Sequence, residues 1–393
     1  MPPGEPLAHV AQVDWAALRH ARGPATDVPA RLRALAGEDR ETRRRARAAL
    51  TASLCHQGAR WPASAAAVPF LLGLAADPRV PDRDEVVRLL AHLAVGHDSI
   101  WLPDGVPAGR FRAAVARSRG EGHAHGRWAL DAYDAVRAGV PLLRELLRDP
   151  SAGLRQAAAS TLAWFPEERG AVVPELLAAE AGEGDPGAAA AALIAVGLLD
   201  DGTGEGLPAV LAARLADDRP AVRLAAAIAL ARVRRDDPPQ AAADELLRWT
   251  AADPPRAAEL PGRFPFWDPR WYAYRSLARL GGTARAPVVE ALLRELGRTR
   301  GSAAFHLVAA VLQAAFPDGP VAPGTGLDEL TDLQQRVVRA LERQRPWRMG
   351  QAGSIERLLA AYRLPDLFQP APFTTLRSGL RRLTRRAGGG ADR

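Results

Sequence analysis

The chain has 393 residues, of which 48% are apolar and 6% aromatic, a composition that excludes wholesale disorder and favours closely packed helices over sheets. Its formal charge is +7 with no lysine, which excludes Schiff-base chemistry and a phosphate-binding loop that depends on lysine. The single cysteine, Cys55, cannot form an internal disulfide, so nothing requires an oxidising compartment.

The beginning of the chain does not resemble an export signal. Three prolines and a glutamate stand where a signal peptide carries basic residues and then an apolar stretch. The longest apolar run, residues 187–199, is shorter than the roughly 20 residues that cross a bilayer. We therefore expect a cytoplasmic protein with no transmembrane segment, in which residues 1–29 form an N-terminal segment.

Helical pairs are predicted from residue 30 onward. Apolar residues at 32–35 and 46–54 indicate a first pair, and a Val-Pro-Phe-Leu-Leu run at 68–72 opens a second. The phrase is clearest at 140–166, where Val-Pro-Leu-Leu is followed by Asp-Pro and then by an alanine-rich helix. It recurs with its prolines 33 and 34 residues apart, at Pro141, Pro174 and Pro208. Such periods are typical of helical solenoids.

The residues of the repeated phrase have clear structural roles. Proline in the first turn of a helix loses no hydrogen bond, so each of these prolines is predicted to open the first helix of its pair. Leucine and valine at spacings of three and four form one apolar stripe, and small alanines on the second helix let neighbouring pairs stack. The sequence therefore predicts an all-α protein, an α-α superhelix of about seven helix pairs over residues 30–317.

Two insertions and a C-terminal region complete the predicted organisation. Residues 96–138 contain a Trp-Leu-Pro-Asp-Gly run and a Gly/Arg/His-rich loop, and residues 252–269 are rich in proline and aromatic residues. Insertions in solenoids emerge on one face, often the binding face. Residues 318–364 predict a helical cap, and residues 365–393 predict a basic, disordered tail.

The repeated phrase resembles the HEAT-repeat family, in particular the HEAT-like repeats named after phycobilisome lyases. The stretch from Leu54-Cys55-His56-Gln57-Gly58 to Val68-Pro69-Phe70-Leu71 is similar to a group of HEAT-repeat proteins from high-GC bacteria. The resemblance covers about residues 30–317 and implies a solenoid. Only the family name implies a function, a lyase that acts on a bound chromophore.

The residue types that carry catalysis are not arranged as a site. Two acid–arginine pairs, Asp149 with Arg155 and Asp217 with Arg223, are six residues apart across predicted turns. Because this placement repeats with the fold, we interpret it as a ladder that ties consecutive pairs rather than as catalytic chemistry. One cysteine and scattered histidines do not supply the four ligands of a structural zinc site. We therefore predict no catalytic residues, no metal, no cofactor and no enzymatic activity.

A set of tryptophans and arginines is the candidate binding surface. Aligned second helices place these residues on an exposed, concave side, and such a mixture is the chemistry of hot spots in protein interfaces. We predict a non-catalytic scaffold for a protein partner, including a regulatory or immunity-type role, of unspecified oligomeric state. The alternative is that Trp164 packs against the next pair and that the arginines are solvated. The candidate residues are Arg88, His92, Trp164, Arg232, Trp267, Trp271, Arg275 and Arg279.

The charge distribution supplies a second hypothesis, a nucleic-acid partner. Residues 375–393 contain six arginines against one acid, and residues 335–348 contain five against one, whereas the remainder is slightly acidic. Trp267 and Asp268 match the residue types of DNA glycosylases that excise alkylated purines on HEAT-like repeats. The alternative function is thus nucleic-acid binding through the basic C-terminal region, or an alkylpurine-DNA-glycosylase-like enzyme. Against it, the rest of the array lacks a continuous basic stripe.

Overall fold

The computed structural model describes residues 5–118, 121–202, 206–251, 268–299, 301–345 and 352–364. Eighteen α-helices lie within these ranges, and the helices account for most of them. They are α1 Val28–Leu35, α2 Arg40–Leu54, α3 Pro62–Ala76, α4 Arg83–Val95, α5 Ala108–Arg117, α6 Glu121–Arg137, α7 Val140–Leu146, α8 Ala152–Leu162, α9 Arg169–Ala181, α10 Pro186–Leu199, α11 Leu207–Ala213, α12 Pro220–Val233, α13 Gln240–Thr250, α14 Pro269–Leu277, α15 Arg285–Leu296, α16 Gly301–Ala315, α17 Asp332–Gln344 and α18 Ala352–Ala361.

Helices α1–α4 and α7–α16 form seven consecutive pairs. The second helices, α2, α4, α8, α10, α12, α14 and α16, contact one another in that order and form one continuous layer. Helix α6 packs on α3 and α4, and α17 and α18 follow the last pair. The prediction of an all-α superhelix of about seven pairs is confirmed, and the chain is a helical-repeat solenoid.

Two short β-hairpins lie at helix ends, which the sequence did not predict. Strands β1 Arg19–His20 and β2 Gly23–Pro24 pair antiparallel, as do β3 Cys55–His56 and β4 Ala59–Arg60. The second hairpin turns on Gln57 and Gly58, whose φ angles are 50° and 82°. Positive φ at both central residues is the geometry that matches the twist of two-residue hairpins. Each hairpin thus closes a connection without forming a sheet layer.

The prolines of the repeated phrase begin only some of the first helices. Pro141 and Pro208 lie in the first turns of α7 and α11, as predicted. The same prediction is wrong for Pro69 and Pro174, which lie inside α3 and α9. Both helices begin upstream of the phrase: α3 starts at Pro62, where the Ser64 hydroxyl caps the chain by accepting from the Trp61 amide at 2.9 Å. The interior prolines remove one hydrogen bond each from helices already held by their neighbours.

The second helices approach one another most closely between α10 and α12. Every residue of α10 from Gly187 to Leu199 is buried. A Cβ added at Gly197 would lie 2.7 Å from the Cβ of Ala229 and 2.8 Å from its Cα. Because the Ala229 Cα is backbone, it cannot move aside as a flexible side chain would. The two helices therefore pack at a separation that glycine facing alanine permits.

Gly197→Ala should lower the free energy of unfolding by about 1–3 kcal/mol, because the added methyl group forces α10 away from α12. Gly170→Ala, in the first turn of α9, is the matched control, since no atom lies within 4 Å of its added Cβ. There the better helix propensity of alanine should raise stability by up to about 0.5 kcal/mol. Urea unfolding of both variants measures the difference, and equal effects would contradict the close approach.

A ladder of arginines ties consecutive pairs together. Each of these arginines lies four residues after the N-cap residue of the second helix in a pair. Its guanidinium binds two carbonyl oxygens of the turn before that helix and one acidic side chain of the next pair. Arg155 donates to the Asp149 carbonyl at 2.9 Å, to the Pro150 carbonyl at 3.0 Å and to the Glu183 carboxylate at 2.6 Å. The equivalent contacts are Arg43 with Gly37, Glu38 and Asp82, and Arg223 with Asp217, Asp218 and Glu245.

The predicted ladder is present, but the acid of each rung differs from the prediction. Arg155 uses the backbone carbonyl of Asp149, while the Asp149 carboxylate binds Arg83 of the preceding pair. The side chain of Glu183 is only 8% exposed. Burial opposes ionisation of this carboxyl group, but the hydrogen bond from Arg155 lowers its pKa below the ordinary glutamate value.

Arg155→Ala should reduce the free energy of unfolding by about 2 kcal/mol, because two turn carbonyls and a nearly buried carboxylate lose their donor. Arg45→Ala is the control, since its guanidinium is 75% exposed in a local ion pair and should matter by less than about 0.5 kcal/mol.

The same pair of proteins gives a pH test. Because the folded-state pKa of Glu183 is lowered, its contribution is complete above the ordinary glutamate pKa of about 4.3 and is lost as the pH falls below it. The stability difference between wild type and Arg155→Ala should therefore shrink in acid. A constant difference down to low pH would exclude an ionic rung.

Residues 5–29 lie against the first two helix pairs. The Trp15 ring is buried 6.1 Å from the Phe70 ring, and its N–H donates to the Val10 carbonyl at 2.8 Å. Of the second predicted insertion, residues 252–267 lie outside the described residues, as does the predicted tail, residues 365–393. Within the described ranges, no helix combines the length and the apolar character needed to cross a membrane.

Candidate functional site

Part of the first insertion runs from the end of α4 to the ends of α12 and α14; we call residues 98–105 the crossing segment. The ring N–H of Trp101 donates to the Val95 carbonyl at 2.8 Å, and the Gly105 amide donates to the Trp101 carbonyl at 2.7 Å. Leu102 is fully buried, whereas Ile100 is 64% exposed. The segment is therefore folded on itself and pinned by one leucine.

Four arginines from the ends of α12 and α14 meet the crossing segment or its surroundings. Arg235 and Arg279 contact the two oxygens of the Asp104 carboxylate at 2.8 and 2.7 Å. Arg275 donates to the carbonyl oxygen of Leu102. Arg232 donates, at longer range, to the last carbonyls of α10. We call Arg232, Arg235, Arg275 and Arg279 the arginine cluster.

The layer of second helices lies on the inner side of a curved array. Neighbouring second helices, such as α8 with α10 and α10 with α12, contact each other extensively, whereas contacts between the first helices of the same pairs are few. Pairs that lie closer together on one side than on the other stack with a curve. The arginine cluster lies at the carboxyl ends of α12 and α14, which belong to this inner, concave layer.

The arginine cluster has more hydrogen-bond donors than the chain supplies acceptors. Burial, reinforced by the neighbouring Arg235, lowers the pKa of Arg232, and burial together with Arg279 lowers that of Arg275. Three Nε atoms of the cluster, those of Arg232, Arg275 and Arg279, are buried without an acceptor among the described residues, as are the Nε atoms of four arginines elsewhere in the described ranges. The hydroxyl of Tyr272, on a fully buried side chain of α14, has no partner there either. The part of the cluster that an anionic group can reach is the partly exposed pair of guanidinium groups of Arg235 and Arg279.

The predicted residues Trp271 and Arg275 lie together. The Arg275 guanidinium lies over the Trp271 ring at 5.2 Å from its centroid, and the His306 ring is perpendicular to the Trp271 ring with the two centroids 6.1 Å apart. Burial and the charge of Arg275 lower the pKa of His306 and favour its neutral form. Asp268 is exposed and caps α14 by accepting from the Trp271 amide at 3.0 Å. Trp267 lies outside the described residues.

Two predicted residues, Arg88 and His92, are on α4. Arg88 is bound within its own helix to Asp84 at 3.3 Å, and the backbone carbonyl of His92 faces the Cys55 thiol at 3.3 Å. Neither is among the residues that contact the crossing segment through the bonds described above. The structure therefore brings Arg232, Trp271, Arg275 and Arg279 together but not these two.

The expectation that Trp164 is exposed is wrong. Its side chain is 1% exposed and belongs to the core, and its carbonyl accepts from the Tyr133 hydroxyl at 3.0 Å. The alignment assumed that the helix continued through this residue, but α8 ends at Leu162 and the chain then turns inward. The alternative, in which Trp164 packs within the array, describes its position.

Sequence reasoning missed two members of the site, Arg235 and Asp104. Arg235 follows the end of α12, so no helix-face alignment includes it. Asp104 lies in the Leu-Pro-Asp-Gly run, which the sequence pattern predicts to be part of an insertion but does not predict to contact the helix array. The excess of arginines around residues 232–235 was the signal that could have predicted an internal acidic partner.

The described residues offer little chemistry for a metal site or a thiol nucleophile. Across residues 5–118, 121–202 and the other described ranges, no group of three or more His, Cys, Asp or Glu side chains could hold a metal ion. The thiol of Cys55 is buried, and burial raises its pKa, which is the opposite of what a nucleophile requires.

Comparison with known proteins gives little beyond the helical-repeat architecture. No protein-family profile and no curated protein matches the chain. An engineered protein of known structure is 18% identical over 92% of this chain and 91% of its own, with a TM-score of 0.32. A second engineered protein is 18% identical over 81% and 97%, with a TM-score of 0.25. A chain from the crystal structure of Kap121p bound to Ste12p is 14% identical over 84% and 36%, with a TM-score of 0.34. Similarities at this level carry no argument about function.

Asp104→Ala should release the crossing segment, because Arg235 and Arg279 lose their shared carboxylate. Amide hydrogen exchange of residues 98–105 should accelerate by about tenfold or more, while exchange in α10 and α12 stays unchanged. The control is Asp237→Ala, which removes an acid that is 80% exposed in a local pair with Arg234. Unchanged exchange in the Asp104 variant would mean that these ion pairs do not hold the segment.

Proposed function

We propose that this chain is a non-catalytic, HEAT-like scaffold that binds one protein partner on the concave side of its helix array. The observation that supports it best is the arginine cluster, in which, among the described residues, four arginines have one ion-paired carboxylate, that of Asp104. The side chains of Arg235 and Arg279 are partly exposed, so an acidic group of a partner can reach them.

The neighbouring aromatic side chains favour a protein partner. Trp271 is partly exposed beside Arg275, and tryptophan with arginine is the pair of residue types most enriched at interface hot spots. The acid–arginine contacts of the ladder, such as Arg155 with Glu183, tie consecutive pairs together, which is a structural role.

We extend this proposal to a regulatory or immunity-type role, in which capture of the partner changes the partner's activity. Helical solenoids create extended concave surfaces that bind partners. The genes encoded next to this one provide a direct test. A neighbouring toxin or enzyme that forms a complex with the purified chain supports the role, and a neighbour that does not bind speaks against it.

The full-length chain, immobilised and exposed to a lysate of its source organism, should retain one protein in stoichiometric amount. The purified pair should then form a defined complex by light scattering, and Arg275→Ala should weaken it by about tenfold or more, as expected for a hot spot. The matched control is Arg45→Ala, on the exposed surface of α2.

Two outcomes would contradict the proposal. Failure to retain any stoichiometric protein would remove the scaffold function. If Arg275→Ala leaves the affinity for the captured partner unchanged, the scaffold function stands but the partner binds at a site other than the arginine cluster.

A further inference from the structure

The crossing segment contacts the array as a bound peptide would. Its contacts with α12 and α14 join residues that are between 131 and 175 positions apart in the chain. They consist of one carboxylate, one backbone carbonyl and one buried leucine, which are groups that a bound peptide can also offer. Guanidinium groups recognise carboxylates and carbonyls through their directed N–H donors.

The crossing segment satisfies the arginine cluster only in part. Asp104 is the only carboxylate that forms an ion pair with the four arginines among the described residues. That carboxylate is 43% exposed, and the two arginines that bind it are 42% and 34% exposed. Ion pairs with this exposure are weak because water competes for both charges. The segment therefore neutralises only part of the charge of the four arginines.

The segment also defines what a replacement needs. Leu102 fills a buried site, its carbonyl binds Arg275, and Asp104 follows two residues later. A competing peptide has to supply an apolar side chain and then a carboxylate two positions on, in the turn that residues 101–104 form. Further acids next to that carboxylate would add negative charge opposite the partly exposed Arg235 and Arg279.

We propose that the arginine cluster recognises an acidic segment of the protein partner, and that the crossing segment occupies this site as an internal mimic until the partner displaces it. The proposal rests on the scaffold function and specifies the chemistry of the ligand. Electrostatic complementarity of this kind governs which partners bind and how fast they associate.

The probe is a short synthetic peptide with a Leu-Pro-Asp core followed by glutamates. The control is a neutral peptide of the same sequence with asparagine and glutamine in place of the acids. Fluorescence anisotropy with the full-length chain should show weak binding of the acidic peptide to wild type. Asp104→Asn should tighten that binding by about fivefold or more, because the internal competitor loses its charge. Asp237→Asn is the control and should leave the affinity unchanged.

A second set of variants tests the arginines. In the Asp104→Asn background, replacing both Arg275 and Arg279 by alanine should weaken peptide binding by about tenfold or more, whereas Arg45→Ala should not. Circular dichroism confirms that each variant is folded. In wild type, saturating acidic peptide should accelerate amide exchange of residues 98–105, because the bound peptide excludes the segment from its site.

Several results would overturn the proposal. These are equal binding of the neutral peptide, no gain in affinity with Asp104→Asn, no loss with the double arginine variant, or tighter binding of a duplex DNA than of the acidic peptide. A partner protein that still binds the double arginine variant would also overturn it while leaving the scaffold function intact. Loss of the scaffold function itself is read separately, from the absence of any captured partner.

Discussion

The close approach of the second helices is the constraint on which the rest of this structure depends. Glycine facing alanine brings α10 and α12 together on the inner side. On the outer side, the first helices of successive pairs are joined by long ion-paired side chains, Arg144 with Glu175 and Glu180 with Arg214. Because small residues separate the second helices and long residues separate the first helices, each pair is narrower on its inner side. Stacking such pairs curves the array, and the second helices form its concave side.

The sequence predicted the array because the information for it is local. The Val-Pro phrase, the leucine stripe and the alanine-rich second helix occur within one repeat, so counting repeats gave the number of pairs. It failed where a helix boundary depends on neighbours. Pro174 lies inside α9 because the preceding turn leads directly into that helix. Trp164 is buried because α8 ends two residues before it, and periodicity cannot be extended past a helix end.

The candidate site was predictable only on one side. The helical spacing predicted that Arg275 and Arg279 share one face of a helix, and the structure places Arg275 on α14 and Arg279 in the turn that follows its end at Leu277. Their contacts with Leu102 and Asp104 depend on how strongly the whole array curves, which is a sum over several interfaces. No local pattern contains that sum. The sequence therefore predicted a surface that could hold a ligand but not that part of the same chain already lies on it.

The crossing segment, which links two distant repeats, also affects how the helix array can move. Solenoids flex like springs, because each interface between repeats yields slightly and the small rotations accumulate along the array. The link from α4 to Asp104 fixes the distance between the second pair and the sixth, so the intervening repeats cannot open independently. The contacts of the crossing segment therefore add to the resistance that the packed core offers against opening of these repeats. Displacement of the crossing segment from the arginine cluster would therefore also make the array more flexible.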